Sequence, residues 1–85
     1  MSEETLTIFR KFKDEGDIIA LFPEEDWGNY LCSSYQHIGQ HGSADYQGVV
    51  SISTLATPEE YRELKEELES IGYTLKIRKR WNKRR

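Results

Sequence analysis

Apolar residues recur with two different periods along this chain, and the change of period marks out its elements. From Thr5 to Phe12, Leu6, Ile8 and Phe12 alternate with Thr5, Thr7 and Lys11, as in a half-buried strand. Phe9 and Arg10 interrupt the alternation, which predicts that the outer face is partly covered. Lys13-Asp14-Glu15-Gly16-Asp17 reads as a turn, with Gly16 able to take the positive φ of a short hairpin loop. Ile18 to Phe22 is a continuous apolar run of strand length, ended by Pro23. Together these predict a β-hairpin whose second strand is central and buried on both faces.

Glu24 to Asn29 reads as an acidic loop. Tyr30 to Gln36 reads as a third strand, with Tyr30, Cys32 and Ser34 on one side and Leu31, Ser33 and Tyr35 on the other. His37 to Asp45, with two glycines and no period, reads as a loop. Tyr46 to Thr54 reads as a fourth strand around Val50 and Ile52, where Gly48 marks a bulge or a close backbone approach.

From Thr57 to Gly72 the period becomes helical. Thr57 is the expected N-cap, Pro58 suits the first helical position, and Glu60 completes a Thr-x-x-Glu capping box. Tyr61, Leu64, Leu68 and Ile71 form one apolar stripe. Gly72 can supply the left-handed residue that ends the helix. Tyr73, Leu75 and Ile77 then alternate with Thr74, Lys76 and Arg78, predicting a final strand with one wet face. The predicted order is β-β-β-β-α-β. This is an α+β fold, a mainly antiparallel sheet with one capped helix on one face. The last strand is free to pair parallel after a right-handed crossover, or antiparallel.

Length and charge narrow the function. Eighty-five residues suit one small domain, expected over 5–80, with a disordered 1–4 and a basic tail at 81–85. A chain this size buries roughly 60–65% of its unfolded surface, so a deep substrate cavity would compete with its core. That favours work done at the surface. The last ten residues carry seven positive charges and no negative one, while the rest hold five Lys or Arg against fifteen Asp or Glu. The overall −3 conceals a charge-segregated molecule. One cysteine, Cys32, excludes an intramolecular disulfide and four-cysteine zinc sites. An acidic Met1-Ser2-Glu3-Glu4-Thr5 start and no apolar run of membrane-spanning length point to the cytoplasm, with no membrane partner.

Three clusters compete as functional sites. Lys76, Arg78, Lys79, Arg80, Lys83, Arg84 and Arg85, with Trp81 among them, suit phosphate contact with nucleic acid, and Trp81, Tyr73 and Tyr35 suit base stacking. An acidic protein surface is the other partner for these cations, and a solvated tail is the bland alternative. His37 and His41, near Cys32 and Asp45, are weak candidates for a metal, because His-x-x-x-His aligns only on a helix and Gly39 and Gly42 oppose one. Cys32 or Ser34 with His37 or His41 would make a nucleophilic site, yet no strand-turn-helix elbow frames them. Glu24, Glu25 and Asp26 read as solvated charge. Glu59, Glu63, Glu66, Glu67 and Glu69 would let the helix mimic phosphates toward a basic protein, diluted by Arg62–Glu66 and Lys65–Glu69 pairs. No Walker loop or dinucleotide fingerprint occurs, and no cofactor is implied.

Phe9-Arg10-Lys11-Phe12, Ile18 to Pro23, Ser34 to Gly42 and Thr57-Pro58-Glu59-Glu60-Tyr61 also carry a resemblance. Over Phe9 to Arg80 the chain resembles a loose group of small uncharacterised bacterial proteins associated with phage and other mobile elements. The resemblance implies an accessory or regulatory role and transfers no activity, ligand or catalytic residue. The expectation is a small non-enzymatic binding protein using its basic C-terminal strand and tail. The rivals are an adaptor or inhibitor using the acidic helix, and a small enzyme centred on His37 and His41. Oligomeric state is left open, with exposed sheet edges permitting a dimer.

Overall fold

The computed structural model describes residues 4–28, 31–36 and 40–79. Thr5–Phe12 (β1) and Ile18–Gly28 (β2) pair antiparallel, with Ile8 opposite Leu21 and Lys11 opposite Ile18. Gly16 sits at φ 77°, and its N–H donates to Phe12 O at 2.9 Å to close the hairpin. Leu31–Gln36 (β3) pairs with the other edge of β2, and Gln40–Asp45 (β4) pairs with β3. Ala20, Leu21 and Phe22 are wholly buried, as an unbroken apolar run in a central strand requires.

The far edge of β1 is shared. Ser53–Leu55 (β5) runs antiparallel beside Arg10 to Phe12, and Leu75–Ile77 (β6) runs parallel beside Thr5 to Thr7. Phe9 O accepts from Ala56 N–H and Thr7 O from Arg78 N–H, so odd-numbered β1 residues bond this edge throughout. The parallel option for the last strand is therefore the one adopted.

Alternation sorts the core into two layers. Phe9, Ala20, Phe22 and Tyr35 face Pro58–Ser70 (α2) and bury Leu64 and Leu68. Each of those leucines contributes roughly 1.5–3 kcal/mol of burial. Tyr61 stacks on Phe9 with centroids 4.3 Å apart, and Tyr73 on Phe22 at 5.3 Å. The opposite face presents Ile8, Ile19, Leu21 and Cys32 to Tyr46–Ser51 (α1), which contributes Tyr46, Val49 and Val50.

The α+β class and mainly antiparallel sheet match expectation, but the order is β-β-β-β-α-β-α-β, with helices on both faces. Tyr46 to Thr54 is not one strand. Tyr46, Val49 and Val50 share a helical spacing that buries them together, whereas Ile52, on which the strand reading leaned, is 56% exposed. Residues 40–45, expected as loop, form β4. Pro23 does not end its strand. Phe22 pairs with Ser33 and Asp26 with the next β3 residue, Cys32, so Pro23 to Glu25 bulge out of the ladder, where a missing N–H costs nothing. Ile71 is the α2 C-cap and 53% exposed, so it leaves the predicted stripe. Residues 1–3, Tyr30, His37 and everything from Arg80 onward lie outside the described residues.

Candidate functional site

The position of the basic strand follows from how α2 begins and ends. Thr57 Oγ1 accepts from Glu60 N–H at 3.3 Å while the Glu60 carboxylate accepts from Thr57 N–H at 2.9 Å, the predicted capping box. Lys11 adds an ion pair to Glu60 at 2.7 Å. The Lys11 hydrogen bond, then the Thr57 N–H, hold the Glu60 carboxyl below its ordinary pKa. At the other end Gly72 takes φ 113° and Tyr73 N–H reaches back to Leu68 O at 3.1 Å. Thr5 N–H donates to Thr74 O at 2.7 Å, and β6 then follows β1.

Leu75 and Ile77 pack into the α2-side layer, which places Lys76 on the opposite face, in register with Leu6. Lys76, Arg78 and Lys79 are exposed. Arg78 bonds its side chain only locally, to Ile77 O at 2.9 Å. Among the described residues the ion pairs are Lys11–Glu60 and Lys65–Glu69, at 2.7 and 3.1 Å, and neither neutralises this strand. Leu55, in register with Arg10, is 38% exposed, and Ile52 is 56% exposed. Arg80, Trp81, Lys83, Arg84 and Arg85 lie outside the described residues.

The tyrosines expected to stack on bases are not available. Tyr35 is 1% exposed beneath α2, where its hydroxyl donates to the Glu67 carboxylate. Tyr73 is committed to Phe22, and burial, with the charge of Glu25, raises its phenol pKa. The Tyr35 bond also withdraws Glu67 from the acidic solvent face. Glu59, Glu63, Glu66 and Glu69 stay exposed on α2, with Glu69 paired to Lys65. A cleft of about 300 Å³ beside the start of α2 is lined by Gly16, Asp17, Ile18, Gln36, Glu60, Glu63 and Leu64.

The serine-histidine segment is divided by the sheet. Cys32 and Ser34 belong to the α1 side, and backbone register sets His41 opposite Tyr35, not opposite either of them. Cys32 is buried, and desolvation raises its thiol pKa to about 11, so negligible thiolate exists at neutral pH. Ser34 is also buried and donates its hydroxyl to Gly42 O at 3.2 Å. Among the described residues no three His, Cys, Asp or Glu side chains gather as metal ligands. His37 and the side chain of His41 fall outside what is described. No helix among the described residues is long and apolar enough to cross a membrane.

Comparison with protein-family models, with curated proteins and with solved structures finds no match.

Proposed function

We propose that this chain is a non-enzymatic binding protein whose basic edge strand engages a polyanion through its phosphates, with nucleic acid the first partner to test. The observation that carries this reading is the trio Lys76, Arg78 and Lys79. All three are exposed at one edge of the sheet, and no described carboxylate pairs with them. The ladder to β1 holds the strand before any ligand arrives, so less ordering entropy opposes binding. Arg80, Lys83, Arg84 and Arg85, with Trp81 among them, extend the same charge in sequence. The buried, protonated Cys32 and the engaged Ser34 support the non-enzymatic part of the reading. A cytoplasmic setting belongs to it as well.

With Tyr35 and Tyr73 committed to the core, affinity would come from phosphates and be indifferent to base sequence. Three phosphate contacts on duplex DNA predict roughly a 40-fold loss of affinity between about 50 and 200 mM salt. Fluorescence anisotropy with short duplex and single-stranded DNA and RNA measures this directly. The Lys76→Glu, Arg78→Glu double variant should abolish the salt-sensitive binding while its circular dichroism stays unchanged. Absence of binding at the lower salt sinks the proposal. An adaptor role for the acidic helix ranks below it, because Glu60, Glu67 and Glu69 already have intramolecular partners.

A further inference from the structure

The two edges of the sheet differ in how they end. On the β1 side the edge is broken into two three-residue strands, and one of them carries Lys76. Short strands and lysines are the usual means of stopping a sheet from growing. On the other side β4 runs for six residues, Gln40-His41-Gly42-Ser43-Ala44-Asp45, without lysine, arginine or proline. Its ladder to β3 is continuous from Leu31–Asp45 to Gln36–Gln40, with none of the register shifts that twist β2. Among the described strands it pairs with β3 alone. An unbroken edge of this length leaves about three residues' worth of N–H and C=O groups facing outward.

The geometry points to a second copy of this chain as the occupant, with β4 pairing antiparallel to β4 of the other copy about a two-fold axis. Symmetry restricts the register. Antiparallel pairs alternate between two hydrogen-bonding types, so the axis must pass through a residue paired with its own equivalent. Centring on Ser43 puts Gly42 opposite Ala44 of the other copy and brings Asp45 into the ladder, opposite backbone position 41. Centring on Gly42 leaves Asp45 beyond the paired residues. In the Ser43 register the two Asp45 carboxylates are four residue rises apart, about 14 Å. That exceeds the Debye length of about 8 Å at physiological salt, so their repulsion is screened. Ser43 and Asp45 are exposed, and Ala44 already packs in the α1-side layer, so each copy's core ends at this seam. The inference does not depend on what the basic strand binds.

Sedimentation velocity over a concentration series, together with Ser43→Cys oxidation, tests it. Paired strands hold Cα atoms about 4.5–5.5 Å apart at the axis, within disulfide range. The expected result is a concentration-dependent doubling of mass, with rapid reducible cross-linking of Ser43→Cys and none of Ser51→Cys, an exposed control on α1. Buried Cys32 can stay in place in both variants. Ser43→Lys, which sets like charges opposite each other, should return the protein to monomer without changing its circular dichroism. A monomer at every concentration, or a dimer in which Ser43→Cys does not cross-link, overturns the inference.

Discussion

The two faces of the sheet are covered by helices that persist for different reasons. α2 has 13 residues, a reciprocal cap at its start, a left-handed glycine just after its end, and two buried leucines. α1 has six residues, no side-chain bond from its N-cap Asp45, and no charge complementing its dipole in the first or last turn. Isolated helices shorter than roughly 12–15 residues are marginal in water, so α1 cannot persist on its own terms. It is held from outside. Arg10 of β1 donates to Val50 O at 3.1 Å and to Ser53 O and Ser53 Oγ at 2.7 and 2.9 Å, gripping the carbonyl end of the helix across 40 residues of sequence. A cation there also meets the negative end of the helix dipole. A helix that carries its own caps tolerates loss of one contact, and a borrowed helix does not.

The largest test removes a contact on the self-sufficient side. Leu68→Ala should cost about 2–5 kcal/mol, because the side chain is fully buried and the surrounding layer cannot fill the space. Chemical denaturation should show a lower midpoint for the whole molecule. Next is Arg10→Ala, expected to cost about 1.5–3 kcal/mol for charge-assisted bonds to half-buried carbonyls. Its effect should be local. Amide exchange should accelerate across Tyr46 to Ser53 while α2 keeps its protection, and equal acceleration in both helices would dissolve the contrast between them.

Smaller effects sharpen the same comparison. Thr57→Ala should cost about 0.5–2 kcal/mol and fray only the start of α2. Acid should loosen the same cap. The Glu60 pKa is lowered on folding, so its contribution is complete above the ordinary carboxylate range and disappears as pH falls through the folded value. An NMR titration should show the amides of Thr57 to Glu60 losing protection on acidification, and Glu60→Gln should remove the pH dependence. The smallest effect is expected at Gly48, inside α1. A Cβ there would meet the Asp45 carboxylate oxygen at 3.0 Å, but Asp45 is exposed and makes no side-chain bond to the helix it caps. Gly48→Ala should therefore stabilise by somewhat less than the roughly 1 kcal/mol propensity difference. A loss of stability would mean that Asp45 is fixed in place.

The contrast also explains which elements the sequence made legible. α2 is legible with its cap and stop because Thr57, Pro58, Glu60 and Gly72 act within one turn of their own backbone. The hairpin is legible because Gly16 and the Ile18 to Phe22 run are equally local. The sequence pattern of α1 suggests a strand, since Val50 and Ile52 suit either structure over so short a span. Arg10, which decides the matter, looked only like a break in alternation. Of the proposed binding surface, the charge was visible in the sequence and its setting was not. The alternation around Lys76 is legible in the sequence, but the loss of Tyr35 and Tyr73 to the core depends on how distant strands align.

By itself, then, the sequence determined the α+β class, the central buried strand, the capped helix and the separation of charge. Each of these is written in spacings of a few residues or in composition. Only the tertiary structure decided that Tyr46 to Ser51 is helical, that Pro23 lies in a bulge, and that β6 joins β1 in parallel while β4 ends the sheet among the described strands. These segments are too short to cover the cost of their own ordering. Each takes the conformation that buries its apolar residues against a surface built elsewhere in the chain.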